Sequence, residues 1–268
     1  MQHMVSNLQP APYLFLQYRV LVTQHESSQT LFTRSQMGSA SSNIMNTSTH
    51  ICSGRHTEIH SAPSTLAQQF IPAEIYGPDF DLSSTNYDGP GDYTLVPCPM
   101  AENKCQQCGK QERHTGSIIV AIHTASRGTK SACGLYFAHG SKHNVGRMAP
   151  EPVSDQKAHL WACFTALGFM ALLAVSELRD LRQVVIKTDS EYLVKSMTEY
   201  IVKWKENGFK NGRGRALADA HFIQLLDGVI VSLADSGVQV LFWLVPREQS
   251  KEAEELTRKT LAEANSSS

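Results

Sequence analysis

Residues 117–268 predict an α/β domain, a five-stranded mixed sheet with helices on both faces, and three observations carry that expectation. Short strand-like apolar runs alternate with helical stretches in the order β-β-β-α-β-α-α-β-α. One helical stretch, LWACFTALGFMALLAV at 160–175, carries no charge and suits a position in the middle of a core. The apolar strand LRQVVIKT passes straight into Asp189-Ser190, a helix start that leaves polar side chains at the carboxyl end of a strand.

Taken in order, SIIVAIH (117–123) and ACGLYFAH (132–139) read as strands separated by the small-residue linker TASRGTKS, and HNVGR holds a third short strand. A long helix is expected over 155–178. Its uncharged core falls short of the roughly 18 to 20 apolar residues that cross a bilayer, and Lys157, His159, Glu177 and Arg179 flank it. A strand over 181–188, a helix running to about 205 and the loop NGFKNGRGR come next. A helix over 217–235, the strand VQVLFWLV (238–245) and a last helix over 249–264 complete the domain.

Upstream the pattern changes. Residues 1–70 are rich in Ser, Thr, Gln, His and Asn without a sustained period, which predicts disorder. Residues 71–116 bring turn chemistry (YGPDFDL, NYDGPGDY) and the run CPMAENKCQQCGK, an irregular Cys-containing segment with a domain boundary expected near Gly116. Formal net charge is −1, so any nucleic-acid surface has to be local. Six scattered cysteines do not resemble a disulfide framework, and no secretion signal is recognisable, which favours an intracellular place, nucleus or cytoplasm. Cys98, Cys105 and Cys108, with His114, make a zinc site conceivable but lack a second paired motif. Cys133 and Cys163 fall in core elements and read as inert, and His139 and His143 read as structural.

From its own segment, Asp189 has two readings: a ligand at the sheet's carboxyl edge, or a residue that merely caps the following helix. The wider run IKTDSEYLVKSMTEYIVKWKENGFKNGRG, with FWLVPREQSKEAEELTRKTL near the end, resembles type 1 ribonuclease H, especially the domains found in fungal proteins. The resemblance covers about residues 117–265 and agrees in element order. It implies a ribonuclease H-like fold and, for active members, hydrolysis of the RNA strand of an RNA/DNA hybrid by two divalent metal ions on four carboxylates. Hard, octahedral Mg²⁺ suits such oxygen donors, and a metal pair clamps the attacking and leaving oxygens.

Carried over position by position, the resemblance puts His123 where the first strand ends in an Asp and His159 where the first long helix carries a Glu. Asp189 keeps the third carboxylate, and Glu254 in KEAEEL replaces an Asp with a side chain one methylene longer. Imidazole is a poor Mg²⁺ ligand and a better one for Zn²⁺, Mn²⁺, Ni²⁺ or Cu²⁺. Three readings follow: polar replacements without a ligand, a transition-metal site, or residual Mg²⁺-dependent catalysis. Changes around metal ligands already cost 10 to 100-fold, so exchanging two direct ligands is expected to cost on the order of 100-fold or more, making the chain a ribonuclease in descent and a weak or inactive one in practice. The histidine that members carry before the last helix has no counterpart in VPREQSKEAEE.

KWKENGFKNGRGR interleaves Lys203, Lys205, Lys210, Arg213 and Arg215 with Trp204 and Phe209. Alone it reads as a solvated charged loop. The resemblance makes it the basic region that grips the hybrid, with the lysines, arginines and Phe209 as contacts and Trp204 in the core. The expected partner is nucleic acid, foremost an RNA/DNA hybrid, bound by a monomer without a membrane. A non-catalytic scaffold for a protein partner is the reading of a different class.

Overall fold

The computed structural model describes residues 66–79, 82, 92–97, 113–149 and 153–266. Of the region 1–70 expected to be disordered, residues 1–65 lie outside the described residues, as does the zinc reading on Cys98, Cys105 and Cys108, while Gln68–Gln69 form a strand.

Seven strands form one mixed sheet: β1 (Gln68–Gln69), β2 (Thr94–Pro97), β3 (Arg113–Arg127), β4 (Lys130–Tyr136), β5 (Val145–Met148), β6 (Gln183–Thr188) and β7 (Gln239–Leu244). The helices are α1 (Pro72–Tyr76), α2 (Asp155–Ser176), α3 (Glu191–Lys195), α4 (Ile201–Asn207), α5 (Ala220–Asp235) and α6 (Lys251–Ser266). A wider π-helical turn, Ser196–Tyr200, joins α3 to α4 where a continuous helix was expected. The spatial order is β1-β7-β6-β3-β4-β5, with β2 beside the first half of β3. β3, β6 and β7 run parallel, while β3, β4 and β5 form an antiparallel meander.

The five expected strands are all present, and the sheet gains β1 from the end of the region expected to be disordered (1–70) and β2 from the segment expected to be irregular (71–116). Short edge pieces of two and four residues carry too little period-2 signal to be recognised alone. β3 starts at Arg113, ahead of the boundary placed at Gly116.

Strand alternation sorts the core into two layers. Ile118, Val120 and Ile122 of β3, Cys133 and Leu135 of β4, and Val184 and Ile186 of β6 face the main cluster with α2, α3 and α5. Ile119, Val185, Leu241, Trp243 and Val245 face the other way and are covered by Phe70, Leu82 and Val96, with Phe70 edge-on to Trp243 at 5.8 Å. Each large apolar side chain buried this way contributes about 1.5–3 kcal/mol, so the upstream segment closes a sheet face that would otherwise be wet.

Helix α2 is long and apolar enough to cross a membrane by composition, but here it lies in the core, with Leu160, Ala162, Cys163, Ala166, Leu167 and Met170 at 0% exposure. Ser154 starts it by accepting from the Lys157 amide at 3.3 Å. Cys133 and Cys163 are free and buried, and burial pushes the Cys133 thiol up to about 12. Neither is a nucleophile at neutral pH.

On the opposite face α6 presses onto β4 and β5 at two glycines. A Cβ on Gly134 would collide with the Ala253 carbonyl and the Thr257 hydroxyl, and one on Gly146 with Thr260. The close approach fixes where the first turn of α6, and hence Glu254, sits.

Candidate functional site

Parallel β3, β6 and β7 deliver their carboxyl ends to one edge of the sheet, where open α/β folds place ligands. Asp189 follows β6, Arg247 follows β7, His159 lies in the second turn of α2 and Glu254 in the first turn of α6. The capping alternative for Asp189 is excluded. Ser190 Oγ accepts from the Leu193 amide at 3.2 Å and is the cap of α3, which leaves the Asp189 carboxylate for other work.

His123 is 2% exposed and points to the α6 face of the sheet. The single Thr257 hydroxyl proton goes to backbone carbonyls, at 2.8 Å to Ala253 or 3.2 Å to His123 itself. Its oxygen therefore accepts from His123 Nδ1–H at 3.4 Å, a long and weak bond. At the position where the resemblance implies a carboxylate, His123 is a buried ring, contrary to the partly exposed polar residue that a bare replacement suggests.

His159 sits on the other side of the sheet end. Its Nδ1 is 2.8 Å from the Asp155 carbonyl, which only accepts, so Nδ1 carries the proton. Thr124 Oγ is 3.2 Å from both ring nitrogens. With Nδ1–H committed to Asp155, the Thr124 hydroxyl donates to Nε2. Thr124, next to His123 but on the opposite face of β3, is thus the strand residue that meets His159. Alternation along β3 is the signal that would have identified it.

Asp189 Oδ1 lies 3.5 Å from His159 Nε2, a contact that is an ion pair only when the ring is protonated, and Oδ1 is buried without a hydrogen-bond partner. His159 holds the Asp189 carboxyl below its ordinary range against the opposing effect of burial. Glu254 is engaged elsewhere: Arg247 Nη2 donates to its Oε1 at 2.7 Å and keeps the carboxyl low.

Of the four expected site residues only His159 and Asp189 are partners of each other, while Glu254 is held by Arg247 and His123 meets Thr257. The orphaned Asp189 Oδ1 is the one atom that suits a cation. Against it, both remaining carboxylates have a basic partner, each histidine has a ring N–H turned to the protein, and among the described residues no group of three or more His, Cys, Asp or Glu is arranged to hold a metal. A two-Mg²⁺ centre does not fit this set.

Burial is the largest reason that His123 is held below its ordinary value of 6.5, so the unfolded chain takes up its proton near 6.5 while the folded chain resists it. The unfolded state thus binds more protons as pH falls, and stability declines below about pH 7, by at most about 1.4 kcal/mol per pH unit for one group. Asp189 acts lower: its contribution is present above its ordinary 3.8 and is lost as pH falls through its depressed folded value. Thermal melts between pH 7 and pH 5 are expected to show the His123 slope, and His123→Gln to flatten it. An unchanged slope in that variant would assign the effect to another group.

The basic stretch is a built loop. Gly208 caps α4 in the left-handed region (φ 69°) and Phe209 follows at φ 60°, an uncommon conformation for a residue with a side chain. Asn207 accepts from the Lys210 amide at 3.0 Å and donates to its carbonyl at 2.9 Å. Asn211 Oδ1 accepts from the amides of Arg213 (2.9 Å) and Arg215 (3.1 Å). Lys203, Lys210, Arg213 and Arg215 are exposed on this frame, whereas Lys205 is paired with Asp227 at 2.8 Å. Trp204 packs on the main core as expected; Phe209, expected as a contact, does so too, leaving less of its ring for stacking. The two asparagines were not singled out in the sequence, although N-G after a helix is their signal. Asn211→Ala leaves every charge in place but removes the acceptor of two backbone amides, and is expected to speed hydrogen exchange at Arg213 and Arg215 about 3- to 10-fold.

The RNase H family profile matches residues 119–233. Ribonuclease H of Cyanothece sp. is 30% identical over 93 residues, 35% of this chain and 55% of that protein. Ribonuclease H of Schizosaccharomyces pombe is 25% identical over 104 residues, 38% and 36%. Human ribonuclease H1 is 24% identical over 136 residues, 49% and 44%. The chain thus spans about half, or less, of the length of these relatives. LC11-RNase H1, solved in complex with an RNA/DNA hybrid, aligns over 55% of this chain and 97% of its own at 15% identity and TM-score 0.39. RNase H1 of Halobacterium salinarum aligns over 55% and 99% at 16% identity and TM-score 0.36. With the mixed sheet and the strand-edge residues in place, the match over residues 119–233 makes this part of the chain ribonuclease H-like.

Proposed function

We propose that this domain binds RNA/DNA hybrid and hydrolyses its RNA strand weakly or not at all. The observation that carries the reading is the pairwise closure of the strand-edge site: Arg247 holds Glu254 at 2.7 Å, and His159 stands beside Asp189 at 3.5 Å. Of the carboxylates that the family leaves open for cations, Glu254 is matched here by a guanidinium and Asp189 has an imidazole beside it.

Binding falls to the loop of Lys203, Lys210, Arg213 and Arg215, whose cations neutralise backbone phosphates and release counterions. The asparagine frame reduces the ordering cost on contact. We place the folded unit from about Leu66 to Ser266, because β1 and β2 belong to its sheet. An intracellular setting is consistent with the free, buried Cys133 and Cys163.

Anisotropy titration of a labelled hybrid against the purified chain tests the binding half. Arg213→Glu with Arg215→Glu is expected to weaken binding about 100-fold at low salt and to flatten its salt dependence. Equal affinity in that variant would remove the loop from the reading. Cleavage in Mn²⁺ that Asp189→Asn abolishes would establish the transition-metal endonuclease instead.

A further inference from the structure

The Arg247–Glu254 ion pair at the strand edge also determines how the site meets a phosphate, an inference that rests on the nucleic-acid reading above. Four open carboxylates repel a phosphodiester until metal ions intervene. Here the formal charge of Asp189, Glu254 and Arg247 together is −1 with neutral histidines, against −4 for the family's set.

The outward-facing group is now a cation. The Arg247 side chain is 60% exposed and spends one N–H on Glu254, itself 39% exposed. A guanidinium has five donors in a planar fork, and the fork matches phosphate oxygens. Asp189 is set further in, 19% exposed beside His159 at 18%. The 3₁₀ turn Arg247–Gln249 and the first turn of α6, which Gly134 and Gly146 clamp onto the sheet, hold the Arg247–Glu254 pair at the edge.

We infer that the strand-edge site is a direct phosphate seat: Arg247 receives a backbone phosphate of the bound nucleic acid without a divalent cation, and Glu254 serves as its internal counter-charge. Glu254 thereby changes role, from the family's metal ligand to a residue that positions Arg247 and opposes the phosphate.

The test is the affinity of the full chain for a fluorescein-labelled RNA/DNA hybrid, in EDTA and in millimolar MgCl₂ at matched ionic strength. The expected Kd values agree within about twofold. In EDTA, Arg247→Glu is expected to weaken binding about tenfold or more, and Glu254→Gln, which removes a negative charge with almost no change of shape, to tighten it severalfold. Circular dichroism confirms that each variant is folded, and Glu254→Gln decides the matter alone if Arg247→Glu is not. Binding that requires Mg²⁺, or that Glu254→Gln weakens, overturns the phosphate seat while leaving the nucleic-acid reading intact. No binding in either buffer removes both.

Discussion

Gly134→Ala is expected to destabilise the chain by about 2–4 kcal/mol, a fall in Tm on the order of 10 °C for a domain of this size. The added methyl group meets a backbone carbonyl, that of Ala253, and a carbonyl inside a helix cannot swing away as a flexible side chain can. Helix α6 has to shift, and it carries Thr257, the partner of His123, and Glu254, the partner of Arg247. The same substitution is therefore expected to weaken hybrid binding in the fraction that remains folded. Gly212→Ala is the control: nothing lies within 4 Å of the point where its Cβ would stand, and its stability is expected to stay within about 0.5 kcal/mol of the unmodified chain's. Differential scanning calorimetry on both variants checks the pair.

Restoring two acids, His123→Asp with His159→Glu, is expected to give the chain a Mg²⁺ response that it otherwise lacks. Without metal the double variant is less stable, because two further carboxylates join Asp189 and Glu254 and like charges repel. The loss is deepened at position 123, which is 2% exposed, so an Asp there is poorly hydrated. Mg²⁺ that binds only the folded state then stabilises it, by about 2.7 kcal/mol at a hundredfold excess over Kd. The readout is a Tm that rises with MgCl₂ in the double variant and stays flat in the unmodified chain. Adding Arg247→Ala is expected to enlarge the rise by releasing Glu254, whose carboxylate Arg247 holds at 2.7 Å. A flat Tm in all three proteins would place the defect in the backbone of the strand edge rather than in the two histidines.

Most of the domain was legible because its signals are long. The helix over 155–176 with its uncharged run at 160–175, the strands around Ile118–Ile122 and Val184–Ile186, and the Asp189-Ser190 start each combine burial with an unmistakable terminus. β1 and β2 were not, since two and four residues cannot display a period, and their role appears only through the sheet face that Phe70, Leu82 and Val96 cover. At the site, the resemblance placed His123, His159, Asp189 and Glu254 at one edge but could not assign their partners. Arg247 was passed over as part of a motif, although a basic residue in the turn before Glu254 is a natural claimant for its charge. Thr124 was missed for a similar reason: only the pleat of β3 shows that it, and not His123, shares a face with His159. Phe209 looked like a stacking ring because aromatic residues within a basic run suit one, and the fold turned it toward the core.

The central claim is that this ribonuclease H-like domain holds hybrid without cutting it. A single-turnover assay with hybrid fully bound, in saturating Mg²⁺, tests it most directly by following the labelled RNA strand on a denaturing gel. Intact RNA over many hours, alongside binding by anisotropy in the same buffer, is the expected result. Rapid cleavage of the bound RNA strand that Asp189→Asn abolishes would contradict it.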